Sequence, residues 1–122
     1  MPLICRAEVS AAYESWNAVF NEGDAQAVAA AYADDAKLLP PTHAVHSGPK
    51  EIEEFFSGLF EAGVTDHALA IIEVGGDGDL VYSAAKREGL RRAIPQDVGG
   101  IATHIFARQD DGELKLKLHT FN

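Results

Sequence analysis

Five histidines and one tyrosine on a helix face are the residues in this chain best suited to move a proton. Imidazole changes charge between roughly pH 5 and 8, so a histidine facing a cavity can act as general acid or base. His104 lies in Ile101-Ala102-Thr103-His104-Ile105-Phe106, which reads as a strand. His119 ends the alternating run Leu114-Lys115-Leu116-Lys117-Leu118-His119. Strict alternation sets it beside Lys115 and Lys117 in solvent, whereas a single bulge would swap the faces and turn it inward. Tyr13 offers a phenol one helical turn before Trp16; the plain alternative makes both core aromatics. His104, His119 and Tyr13 are therefore the catalytic candidates.

The other polar groups promise less. His43 and His46 sit in a Pro-rich loop, and with no His-Glu-x-x-His and no histidine pair on a clear helix, no metal site is expected. Asp34 and Asp35 are adjacent, so they diverge and make a poor acid/base pair. Asp77, Asp79, Asp110 and Asp111 are turn formers. Lys86, Arg87, Arg91 and Arg92 read as a solvated strand end, with reception of an anionic group as the alternative. Gly75-Gly76-Asp77-Gly78 is a hairpin turn and no phosphate loop, because no helix follows it, and no cofactor is expected. The lone Cys5 lies before the first periodic helix and has no basic partner nearby.

Three helices and a run of strands must position these side chains. Val9, Ala12, Tyr13, Trp16, Val19 and Phe20 form one helical face, stopped at Gly23. Asp24 caps a short second helix with Val28, Ala31 and Tyr32 on its apolar side, ending near Asp34-Asp35. Lys37-Leu38-Leu39 is extended, and residues 40–48 form a loop or small hairpin. Pro49 opens a third helix whose face is Ile52, Phe55, Phe56, Leu59 and Phe60. Strands follow at Asp66 to Val74, Leu80 to about Leu90, Ile101 to Gln109, and Leu114 onward. Helices first and strands second make an α+β layout, with the helices on one face of a curved antiparallel sheet.

The bulk numbers agree with one domain spanning residues 1–122. Hydrophobic residues are 47% of the chain, enough for a core. A net charge of -9 argues against nucleic acid and anionic membrane as partners. The start lacks the pattern of a signal peptide and no apolar run reaches membrane-spanning length, so a cytoplasmic location is expected. Both faces of the His104 strand are apolar, which suggests a sheet face covered by a second copy.

Asn21-Glu22-Gly23-Asp24, Tyr32-Ala33-Asp34-Asp35-Ala36, Leu39-Pro40-Pro41, Ser47-Gly48-Pro49-Lys50-Glu51-Ile52, Gly78-Asp79-Leu80-Val81-Tyr82 and Asp111-Gly112-Glu113-Leu114-Lys115-Leu116 occur in an order that resembles the NTF2-like superfamily. Within it the chain is similar to the SnoaL-like and DUF4440 groups, over roughly residues 8 to 122. The resemblance implies an NTF2-like cone, three N-terminal helices packed on a curved sheet around a cavity, and a homodimer joined through the sheet. That superfamily spans ketosteroid isomerases, polyketide cyclases, dehydratases and assembly domains, so fold alone does not give function.

Ketosteroid isomerases combine a carboxylate base with a tyrosine and a protonated aspartate as oxyanion donors. Aligned here, the tyrosine position falls on Trp16, the base on Pro40 beside Leu39, and the aspartate on His104. Neither base nor phenol stays in place, so that standard chemistry is not expected. Three readings follow. The first is an acid/base isomerase, cyclase or dehydratase acting on a small, mostly apolar molecule. The second is a non-catalytic binder of such a molecule, and the third a dimeric assembly domain. For the first two, the expected ligand-binding residues are Trp16, Tyr32, Leu39, His43, Phe56, Phe60, Tyr82 and Asn122, with His43 at the cavity rim.

Overall fold

The computed structural model describes residues 2–42, 44–91, 96–97 and 100–121. Three helices, α1 (Pro2–Asn21), α2 (Ala25–Ala29) and α3 (Gly48–Glu61), cover one face of a sheet. Its strands are β1 (Tyr32–Leu39), β2 (His46–Ser47), β3 (Val64–Gly76), β4 (Leu80–Arg91), β5 (Gln96–Asp97), β6 (Gly100–Arg108) and β7 (Leu114–Phe121). The order across the sheet is β2-β1-β7-β6-β4-β3, with β5 paired to β4. The α+β class read from the sequence is the observed one. All pairs are antiparallel except β1 with β7, which run parallel.

Helix α1 begins at Pro2, well before the expected start near Val9, so Cys5 lies within it. Its face Val9, Tyr13, Trp16 and Phe20 is buried, each residue three or four positions from the last. Gly23, at φ 74, supplies the left-handed stop. The Asp24 side chain then accepts from the Ala27 N–H and caps α2.

The second helix is shorter than its alanine content suggests. It ends at Ala29, and Tyr32-Ala33-Asp34-Asp35 opens β1 instead of closing a helix. Five residues hold little helix by themselves, and pairing with β7 offers the backbone a better partner. The Leu116 N–H donates to the Ala31 carbonyl at 2.9 Å, and the Lys117 ammonium meets exposed Asp35 at 2.6 Å.

Helix α3 follows the sequence reading closely. Pro49 sits in its first turn, Glu51 Oε1 accepts from the Ser47 N–H at 2.9 Å, and Ile52 and Phe56 are buried. Arg108, at the end of β6, ties the far end of the sheet together. Its guanidinium donates to the Gly78 and Gly112 carbonyls and to both oxygens of the Glu8 carboxylate.

Two irregularities of the sheet decide which side chains face the helices. In β7, Ile105 opposes Leu118 and Phe106 opposes Leu116, leaving Lys117 as an extra residue. Leu116 and His119 are therefore both buried although three residues apart. In β3, Thr65 opposes Leu90 and Ala68 opposes Glu88, so two residues face one across this step. That bulge includes His67, which is buried. The outer face of the sheet stays open in the single chain, with Tyr82 45%, Leu80 52% and Ile101 41% exposed.

Candidate functional site

One tyrosine on a helix and one on a strand engage two histidines of the sheet. Tyr13 projects from α1, and its hydroxyl bonds both Ser83 Oγ of β4 and His104 Nδ1 of β6, the latter at 2.7 Å. Tyr32, at the start of β1, bonds His119 Nδ1 of β7 at 2.8 Å. His104 and His119 are directly opposite in the β6–β7 ladder, and their ring centroids stand 4.3 Å apart. All five residues are buried.

One placement of the hydrogens runs from Ser83 through Tyr13 to His104 and from Tyr32 to His119. Ser83 donates to Tyr13, and Tyr13 then has one proton, which goes to His104 Nδ1. Tyr32 likewise gives its proton to His119 Nδ1. Both imidazoles thereby carry their own hydrogen on Nε2. Among the described residues, Trp16 Nε1 is the one fully enclosed side-chain nitrogen or oxygen without a partner, and both histidines line a cavity.

That cavity is small, about 30 Å³, room for roughly two water-sized groups. Its walls are aromatic, with Trp16, Phe20 and Phe56 on the helices and Phe121 on β7; its polar lining is His67, His104, His119 and Arg87. A groove of about 590 Å³ adjoins it, sharing Trp16, Leu69 and His104 and running past Tyr13, Phe106, Leu116 and Ala27, Ala30 and Ala31 in and just after α2. This volume is in the usual range for a small-molecule site.

Burial keeps the histidines and tyrosines of the chamber uncharged, beside the one cation in its wall among the described residues, Arg87. Burial pushes His104 down to about 3, with His67 adding to the effect. Burial lowers His67 to about 4, helped by the nearby Arg87 charge, and holds His119 well below its ordinary value. Burial raises the Tyr13 phenol to about 12 against the pull of Ser83, and it raises Tyr32 further. At neutral pH every one of these groups is uncharged, and no carboxylate lines the chamber among the described residues. No group of three His, Cys, Asp or Glu is arranged to hold a metal ion among the described residues.

The residues expected from sequence divide. Tyr13, Trp16, Phe56, His104 and His119 are brought together around the chamber and groove. Tyr32 is buried behind His119 and lines neither space, because β1 carries it under the sheet edge. Leu39 is only half-buried; the strand alternation gives the core position to Leu38. Phe60 turns onto Phe20, at 4.9 Å between centroids, and Leu59 takes the lining position. Tyr82 is on the outer face, where its hydroxyl donates to Glu73 Oε2 at 2.8 Å. Val81, Ser83 and Ala85 are the inward residues of that strand. His43 and Asn122 lie outside the described residues, as does Arg92.

Three functional side chains escaped the sequence reading. Arg87, expected as a solvated strand end, is half-buried in the chamber wall with its guanidinium carbon 4.7 Å from the Phe121 ring centre. Ser83 and His67 carried no local signal, since each acquires its role from a partner on α1.

Comparisons with known proteins point the same way. The family model described as the SnoaL-like domain matches residues 13–115. A ketosteroid isomerase-like protein from Erwinia carotovora atroseptica superposes with a TM-score of 0.77 at 24% identity, over 94% of this chain and 92% of that one. An NTF2-like protein from Novosphingobium aromaticivorans gives 0.81 at 17% identity, over 98% and 81%. A calcium/calmodulin-dependent protein kinase II association domain from Xanthomonas campestris gives 0.77 at 24% identity, over 93% and 84%. These likenesses show a shared fold. No curated protein matches the chain.

Proposed function

We propose, from the premise that this chain belongs to the SnoaL-like domain family, that it moves a proton on a small, mostly apolar carbonyl compound. The reaction class is isomerisation, cyclisation or dehydration. One observation carries the reading: His104 and His119 stand side by side in the chamber wall, each with Nδ1 engaged by a tyrosine hydroxyl, which leaves Nε2 of each ring for a ligand. Two preorganised neutral donors in a small, largely aromatic site, with the Arg87 guanidinium in its wall, favour an acceptor that gains negative charge during reaction, such as a carbonyl oxygen becoming an enolate. The adjoining groove, largely apolar, would take the rest of the molecule. The isomerase-like relative supports the same class.

The test is exchange of α-hydrogens in D₂O, followed by proton NMR, with 2-tetralone as probe. The protein should accelerate exchange over buffer, and His104→Phe should reduce the rate by about 100-fold or more. Exchange equal to the buffer blank would count against catalysis. A second reading, a binder without turnover, is favoured by the lack of a carboxylate in the chamber wall among the described residues. It predicts binding of the same probe with no exchange.

The open sheet face supports a homodimer, because Leu80, Tyr82 and Ile101 are apolar and exposed there.

A further inference from the structure

A proton-transfer site needs an acceptor for the proton, and with Tyr13 and Tyr32 donating to Nδ1, His104 and His119 carry their own hydrogens on Nε2. The third imidazole has the opposite arrangement. His67 Nδ1 lies 2.8 Å from Asn17 Oδ1, a group that only accepts, so His67 donates from Nδ1 and its Nε2 carries a lone pair. The same ring lines the chamber alongside His104 and His119.

The fold takes unusual care over this residue. The β3 bulge leaves its backbone out of the regular ladder, and Asn21 closes on both orphaned groups. Asn21 Oδ1 accepts from the His67 N–H at 2.7 Å, and Asn21 Nδ2 donates to the His67 carbonyl at 3.1 Å. Asn17 and Asn21 are four residues apart on α1, hence on one helix face. One asparagine fixes the backbone, the other the ring and its tautomer. Tilted contacts with Phe20 and Trp16, whose centroids lie 4.8 and 4.9 Å away, wedge the ring in place.

The geometry points to His67 Nε2 as the general base of this site, with Asn17 as the positioning residue that keeps the lone pair on that nitrogen. This rests on the acid/base reading above. In the step it performs, the C–H bond α to the carbonyl breaks and its proton goes to His67 Nε2. The bonding pair forms the carbon–carbon double bond of the enolate, and the oxygen takes the charge against His104 and His119 Nε2–H. Return of the proton from His67 to the same carbon gives hydrogen exchange, and its return to the far carbon of a conjugated dienolate moves the double bond and completes an isomerisation, in either case with no oxidant or co-reactant. Burial keeps His67 neutral at physiological pH, so the lone pair is available without prior deprotonation, and the cost of charging the buried ring is offset by the enolate charge that forms in the same chamber.

Two measurements test it. Nitrogen-15 NMR of the free protein at pH 7 should show His67 protonated on Nδ1 and His104 and His119 protonated on Nε2; His67 protonated on Nε2 overturns the proposal. His67→Gln should lower the exchange rate of 2-tetralone by about 100-fold or more, while the probe still perturbs the His104 and His119 signals. Asn17→Leu, which spares the base, should scramble the His67 tautomer and lower exchange by a smaller factor. If His67→Gln exchanges as fast as the parent, His67 is not the base, although the carbonyl site stands. If the parent protein neither binds nor exchanges the probe, the acid/base reading fails and the base assignment goes with it.

Discussion

Acid should unfold this protein early, and the reason is the buried histidine trio. An unfolded histidine titrates near 6.5. The folded values are about 4 for His67, about 3 for His104, and well below 6.5 for His119. Between those limits the unfolded chain binds protons that the folded chain refuses, so stability falls as pH falls below about 6.5 and is flat above it. Each histidine contributes a slope of roughly 1.4 kcal/mol per pH unit in that window. Three together remove on the order of 5 kcal/mol between pH 7 and pH 5. Small domains are stable by about 5–15 kcal/mol, so this loss is a large share of the whole. The carboxylates that the fold depresses, Glu8 by its bond to Arg108, Asp35 by its bond to Lys117, and Asp77 by backbone bonds, titrate below the window. Urea unfolding at pH 7, 6 and 5 measures the effect. His119→Phe should remove about one third of the pH dependence. Equal stability at pH 7 and pH 5 would refute the reasoning, because it would mean that the three rings take up protons as freely folded as unfolded.

Further consequences follow from particular contacts. Tyr32→Phe leaves His119 Nδ1 buried without a partner and should cost about 1–3 kcal/mol in urea unfolding. Gly76 has φ 129, and a Cβ there would lie 2.2 Å from the Leu80 carbonyl oxygen. Gly76→Ala should therefore cost about 3 kcal/mol or more, whereas Gly23→Ala, strained in φ with open space around it, should cost about 1–2 kcal/mol by the same unfolding measurement. Ile101→Lys on the open sheet face should preserve the folded circular dichroism spectrum and halve the mass measured by light scattering if the chain dimerises there.

What could be read from the sequence was whatever short-range periodicity controls. The α3 face is visible because Ile52, Phe55, Phe56 and Leu59 repeat at helical spacing within one segment. The order of helices before strands, and with it the fold, follows from several such segments. Tyr32 was misplaced because Ala25 to Ala33 is alanine-rich and favours helix locally, while its strand partner is the β7 segment near Leu116. His119 could be assigned neither face, because the bulge at Lys117 comes from pairing with β6 and leaves no mark in the alternation itself. His67 was invisible for a related reason. Its tautomer and backbone are set by Asn17 and Asn21, fifty and forty-six residues away, and asparagine on an amphipathic helix carries no signal of its own. Tyr82 shows the converse error. An aromatic in a strand near a cavity was assumed to face it, but Val81, Ser83 and Ala85 occupy the inward positions of β4.

The most direct test of the central claim is a nitrogen-15 imidazole spectrum recorded at pH 7 with and without 2-tetralone. The account predicts neutral His104 and His119, both protonated on Nε2, with those N–H signals moving downfield as the ketone binds. Charged rings, or neutral rings whose signals ignore the ketone at saturating concentration, would contradict it.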